Sequence, residues 1–291
     1  MTLIAGSGAG DALRDAVRTL SRDLPLAGEP AWLALGIACD LPLVATDHLQ
    51  RVEEVARRAV TGAAVDVLLQ PSAGRRKPIL VADLESTIIE NEMLDELADF
   101  IGLRAHIAEI TRRAMNGELD FAAALAERVA LLRGLPTATL DEAAARIRLM
   151  PGARELVATS RAAGVRTALV SGGFTVFAER VARELGFDRV VANRLDITGG
   201  HIAGTVEAPI VTRETKRDVL LALAAEYRVP PAATLAIGDG ANDLPMLDAA
   251  GLGIAFRAKP AVAAASRWRI DHADLTGVLY AQGYRAEEII G

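Results

Sequence analysis

The sequence predicts an α/β protein. It reads as a mainly parallel sheet of the Rossmann type with helices on both faces, a helical cap inserted after the first strand, and a small α/β domain in front. Three observations predict this. Short continuous apolar runs recur at residues 79–82, 166–170, 190–195, 234–237 and 253–256, separated by helical patterns, which is how strands buried on both faces read. Residues 88–148 break that alternation with a stretch almost wholly helical in pattern, too long for a single crossover. The chain is 291 residues long, which at roughly 150 residues per domain suits about two domains.

Taken in order, residues 11–22 and 47–60 carry apolar side chains at three- and four-residue spacing, and 32–37 and 65–69 are apolar runs of strand length. They make up an N-terminal domain, residues 1–72. The stretch Gln70-Pro71-Ser72-Ala73-Gly74-Arg75-Arg76-Lys77-Pro78 reads as a linker from its Pro, Gly and clustered positive charge. A second domain follows over residues 78–291, with the cap at about 90–148 and clear helices at 120–132 and 141–148. A helix is expected from about Thr175, and Lys216 opens the next one.

Hydrophobic residues are 51% of the chain and charged ones 24%, which excludes a disordered polymer. With 38 acidic against 32 basic residues and a net charge of -6, a nonspecific grip on nucleic acid or an anionic membrane is excluded as a main activity. The lone cysteine, Cys39, rules out an intrachain disulfide or a Cys-based zinc cluster and is expected as a small buried apolar residue. His48, His106, His201 and His272 are too scattered for a ligand motif. Residues 1–10 lack the pattern of a signal peptide and no apolar run is long enough to span a bilayer. A cytoplasmic protein with a small-molecule substrate is expected, with neither nucleic acid nor membrane as partner.

Four polar clusters each follow an apolar strand. Asp83-Leu84-Glu85-Ser86-Thr87 places carboxylates at the tip of the first core strand, where ligands of parallel sheets bind; the alternative is a helix N-cap built on Ser86 and Glu90. Ser171-Gly172-Gly173 offers a hydroxyl and free backbone N–H groups of the kind that hold phosphate oxygens. Lys216 could neutralise a carboxylate and a phosphoryl group together. Gly238-Asp239-Gly240-Ala241-Asn242-Asp243 concentrates hard oxygen ligands suited to Mg²⁺, without the spacing of a calcium loop.

Together these clusters resemble the haloacid dehalogenase superfamily. The stretches from Glu90 to Ala98, Leu119 to Val129 and Leu149 to Ala153 are similar to those of its phosphoserine phosphatases, over roughly residues 75–285. The resemblance implies an Mg²⁺-dependent hydrolysis of O-phospho-L-serine through an aspartyl-phosphate, the last step of serine biosynthesis. It implies Asp83 as nucleophile and Glu85 as general acid and base. The metal would be held by Asp83, the backbone carbonyl of Glu85 and Asp239, with Asp243 behind it. Ser171, Gly172, Lys216 and Asn242 would bind phosphate, and Glu92 and Arg128 the ammonium and carboxylate of the substrate. Met115 and Phe121 are expected in the cap core, walling the pocket.

One position departs from the pattern: the related enzymes usually carry Asp where this chain has Glu85. Glu is about one methylene longer, with a free pKa of ~4.3 against ~3.9, so proton transfer is retained if the backbone adjusts. Two rival readings stay open, a phosphatase or phosphotransferase of the same fold acting on another small phosphate ester and a noncatalytic regulator. The N-terminal domain is open between serine feedback and formation of a homodimer.

Overall fold

The computed structural model describes residues 1–115 and 118–291. The chain opens with β1 (Thr2–Ala5), α1 (Gly10–Asp23), β2 (Ala31–Ala34), β3 (Ala38–Asp40), α2 (Leu49–Ala59) and β4 (Val65–Leu68). The strands form an antiparallel sheet in the order β2-β3-β1-β4, the split βαβ arrangement. Leu13 and Leu20 of α1 and Val52 and Ala56 of α2 close over Leu3, Cys39 and Val67 of the sheet. Cys39 is fully buried, and burial pushes its thiol up to about 12, so it behaves as the small apolar residue expected. The pattern had shown only β2 and β4 of these four strands; β1 and β3 were not read.

From β5 (Ile79–Ala82) the chain enters the cap helices α3 (Met93–Asp99), α4 (Arg104–Met115), α5 (Phe121–Leu131) and α6 (Ala138–Ala144). It returns through α7 (Ala153–Ala162), β6 (Arg166–Phe174), α8 (Thr175–Leu185), β7 (Arg189–Asn193), the strands β8 (Leu195–Thr198) and β9 (His201–Val206), and α9 (Arg213–Glu226). It ends with β10 (Thr234–Gly238), α10 (Leu244–Ala249), β11 (Leu252–Phe256), α11 (Pro260–Ala265), β12 (Trp268–Ile270) and α12 (Thr276–Ala281). Six parallel strands run in the order β12-β11-β10-β5-β6-β7.

Alternate residues of each strand face opposite layers. Ile79, Val81, Ala236 and Ala255 pack with Leu220 and Leu223 of α9 and Met246 of α10, while Leu80, Ile237 and Ile254 pack with α7, α8 and α12 through Leu156, Phe177 and Val278. The order of the strands reverses between β5 and β10, and such a switch point leaves a crevice at the carboxyl ends of the two strands. The N–H of Asp83 donates to Ile237 O across it at 2.9 Å.

Several expected boundaries shift. The helix expected at 141–148 lies instead at Ala138–Ala144, and the strand at 32–37 stops at Ala34 because the chain turns at Gly36, whose φ is +72°. The single strand expected at 190–195 is two elements, because β8 and β9 leave the sheet as an antiparallel pair. That pair reaches the cap, with Ile202 O accepting from Gly134 N and Ile202 N donating to Leu135 O, both at 2.9 Å. Among the described residues no helix is long and apolar enough to cross a membrane.

The edge strands β4 and β12 bring the two sheets together. Asp66 of β4 is buried and its carboxylate accepts from the amides of Asp271, His272 and Ala273 at 2.8–3.2 Å. Trp268 Nε1 donates to Leu69 O at 2.8 Å. The stretch expected to be a linker is docked rather than free: Gln70 Nε2 donates to Ala281 O, and the Lys77 amide to Gln282 Oε1. Asp66→Ala leaves one buried and two partly buried N–H groups without their acceptor, the buried one costing on the order of a kcal/mol or more. It should lower stability by about 2 kcal/mol in urea denaturation, and an unchanged midpoint would show that the amides find water instead.

Candidate active site

All four polar clusters converge at the switch point. Lys216 on the first turn of α9 is 1% exposed, and its ammonium lies 2.7 Å from Asp83 Oδ1 and 2.7 Å from Asp243 Oδ1. The helix is fixed there by a capping box, in which Thr212 and Thr215 each accept a backbone N–H of the other. Asp243 Oδ2 accepts from the amides of Asp239 and Gly240, so this carboxylate shapes the loop after β10. Asp239 is held by one residue twice: the Lys259 N–H donates to its carbonyl at 3.0 Å, and Lys259 Nζ to its Oδ2 at 2.6 Å.

Burial, and then the neighbouring Asp243, push the carboxyl of Asp83 well above its ordinary range, against the pull of Lys216. Burial and Asp243 likewise raise Asp239 to about 6. Asp83, Asp239 and Asp243 each bring a carboxylate oxygen within 4.8 Å of the others. The donor set is all hard oxygen; the lysines engage Oδ1 of Asp83, Oδ2 of Asp239 and Oδ1 of Asp243, and the second oxygen of Asp243 accepts two amides. A Mg²⁺ ion fits such a set, whereas zinc favours thiolate or imidazole.

The Ser171-Gly172-Gly173 segment is built differently from the simple strand end expected at Val170. β6 continues to Phe174, but between Val170 and Phe174 it advances four residues while β7 advances two, from Val191 to Asn193. Ser171, Gly172 and Gly173 therefore bulge toward Asp83. Ser171 Oγ accepts the Gly173 N–H at 2.9 Å, leaving its own proton to donate. Asn193, which the sequence reading missed, fixes the bulge: its Nδ2 donates to Gly172 O and its Oδ1 accepts from Val211 N, both at 2.7 Å. Lys259 was missed as well, since neither residue lies in a cluster and only the tertiary contacts single them out.

The cap supplies the far wall. Ser86, at φ +54°, donates to Glu92 Oε1 at 2.7 Å, and no helix begins before Met93; the N-cap alternative for this segment does not hold. Arg128 is buried and donates to Ala124 O and, at 2.8 Å, to Thr111 Oγ1, facing Glu85, Glu92 and Asp95 rather than the surface acids. Glu85 accepts the Met93 N–H on its Oε1 at 2.8 Å. Burial and then the charge of Glu92 push it up to about 8. Glu85, Glu92, Arg128, Gly172 and Asn242 line one cavity of about 70 Å³ with Asp83. The side chains of Met115 and Phe121 lie outside the described residues.

Residues 80–248 match the sequence pattern of the haloacid dehalogenase-like hydrolases. The chain belongs to that family. It is 41% identical over 275 residues to the phosphoserine phosphatase SerB2 of Mycobacterium tuberculosis, covering 94% of this chain and 65% of that protein. It is 46% identical over 203 residues to the phosphoserine phosphatase of Lactococcus lactis, covering 70% of this chain and 94% of that protein. A solved structure titled as a phospho-aspartyl intermediate analogue of phosphoserine phosphatase superimposes with a TM-score of 0.68 at 36% identity, over 70% of this chain and 98% of that one. In this haloacid dehalogenase-like hydrolase, Asn193→Ala leaves Gly172 O and Val211 N unpaired, which should cost about 2 kcal/mol. It should also weaken inhibition by inorganic phosphate about tenfold, and an unchanged inhibition constant would separate Asn193 from the phosphate turn.

Proposed function

We propose that this hydrolase is a Mg²⁺-dependent phosphoserine phosphatase that releases L-serine and phosphate through a phosphoaspartate on Asp83. The observation that carries the substrate is the pairing of Glu92 with buried Arg128 on the wall facing Asp83. O-phospho-L-serine presents an ammonium and a carboxylate at the end opposite its phosphate, and one acid and one base side by side answer both. The relatives named as phosphoserine phosphatases support the same reading.

Asp83 keeps Oδ2 for the attack on phosphorus while Lys216 holds Oδ1. Ser171, the Gly172 N–H and Asn242 receive the phosphoryl oxygens, whose charge rises in the transition state. As the bond from phosphorus to the serine oxygen breaks, Glu85 gives that oxygen its proton; burial and Glu92 keep a proton on this carboxyl near neutral pH. Glu85 then takes a proton from the water that attacks the phosphoaspartate, and Asp83 is restored. Asp83, Asp239 and the backbone carbonyl of Glu85 would hold Mg²⁺, which supplies positive charge against the phosphoryl group when bound. Residues 1–72 form the regulatory or dimerising domain of this reading and residues 78–291 the phosphatase domain, a soluble enzyme of the cytoplasm.

Steady-state release of phosphate from phosphoserine with Mg²⁺, beside phosphothreonine and sugar phosphates, tests the substrate, and equal rates on all would favour a broad phosphatase. Asp83→Asn keeps the shape but removes the nucleophile, so less than a few per cent of activity should remain. Arg128→Lys keeps the charge but loses the planar fork that fits a carboxylate. Its kcat/KM should fall about tenfold or more on phosphoserine and little on p-nitrophenyl phosphate; equal losses on both would make Arg128 structural.

A further inference from the structure

The Glu85 carboxylate lies against a backbone position that has no side chain. An ideal Cβ placed on Gly173 would sit 2.8 Å from Glu85 Oε2, 3.0 Å from its Cδ and 3.1 Å from its Oε1, and these are the three nearest atoms. Contacts under 3.0 Å do not persist, so one partner must move. The backbone at Gly173 is not in the left-handed region, so glycine is not required there for conformational reasons. Its N–H bond to Ser171 Oγ needs no side chain at residue 173. The three nearest atoms an added methyl meets all belong to the Glu85 carboxyl.

The carboxyl is held in place from the cap side. Its Oε1 is tied to the Met93 N–H at the start of α3. Moving it away from residue 173 stretches or breaks the 2.8 Å bond and shifts the acid relative to Asp83. An aspartate at position 85 would be one methylene shorter and would not extend as far toward residue 173.

We propose that Gly173 is a positioning residue for proton transfer, its missing side chain being the space that the longer acid of this chain occupies. The inference rests on the reading of Glu85 as the acid and base of the phosphatase. It adds a coupling between positions 85 and 173: the size tolerated at one depends on the length of the other.

Gly173→Ala, Glu85→Asp and the double variant, assayed on phosphoserine and p-nitrophenyl phosphate with Mg²⁺, test it. In the Glu85 background the methyl should lower kcat on phosphoserine about 10²-fold, the lower end of the worth of a general acid, with KM changed less than about threefold. In the Glu85→Asp background the same methyl should cost no more than about threefold. Thermal melting should show both alanine variants folded at the assay temperature. Equal losses in the two backgrounds would place the methyl's effect on the phosphate turn and overturn the proposal, as would wild-type kcat in Gly173→Ala. If the wild-type chain hydrolyses only the aryl ester, the substrate reading fails instead, and the comparison of backgrounds is decided on that ester.

Discussion

The ammonium of Lys216, buried between Asp83 and Asp243, is the interaction on which the rest of the site depends. It joins three separate pieces of chain: the end of β5, the first turn of α9 and the loop after β10. A buried charge of this kind is stable only while its partners remain, and removing one partner of such a group typically costs ~3–5 kcal/mol. Because Asp243 also accepts two amides of its own loop, the position of Lys216 is transmitted to Asp239. Asp83, Lys216 and the acidic loop thus form one unit rather than three independent pieces.

Charge explains why this unit calls for a cation. Asp83, Glu85, Glu92, Asp239 and Asp243 are the acids of the site, against Lys216, Lys259 and Arg128. Acids exceed bases by two, and the interior relieves part of that excess by keeping Glu85 protonated to about pH 8. A divalent ion among the aspartates would more than offset the one charge that remains, leaving positive charge to face an anionic ligand, which ties the acid's proton and the metal to the same electrostatic problem.

The central strands of the core sheet were legible because they are buried on both faces and read as unbroken apolar runs, β5, β6 and β10 each followed by a polar cluster. Asp83, Ser171 and Asp239 could therefore be placed after strands, and Lys216 at the start of a helix, from sequence order alone, while the edge strand β12 went unread. What could not be read depends on contacts across the chain. Asn193 and Lys259 look like ordinary polar residues until β7 meets the Gly172 turn and the segment before α11 meets Asp239. The run at 190–195 merged β7 with the first residue of β8, and β9 went unread, because hydropathy carries no signal for a strand leaving its sheet. Arg128 was ambiguous for a related reason: on a helix with acids nearby, only the fold of α5 against α4 decides that its guanidinium turns inward to Thr111.

The length of the acid at position 85 links the two halves of the site. Met93, whose amide Glu85 accepts, begins α3, and Glu92 immediately before it receives the hydroxyl of Ser86 from the core loop. The cap is thus fastened to the β5 loop by two hydrogen bonds that both involve residues around the reacting centre. A glutamate spans from the core loop to the start of α3 and to the Gly172-Gly173 bulge at once. The same reach that ties it to the cap brings its carboxyl against the bare position 173, so the length of this acid, its bond to α3 and the missing side chain at residue 173 belong to one packing arrangement.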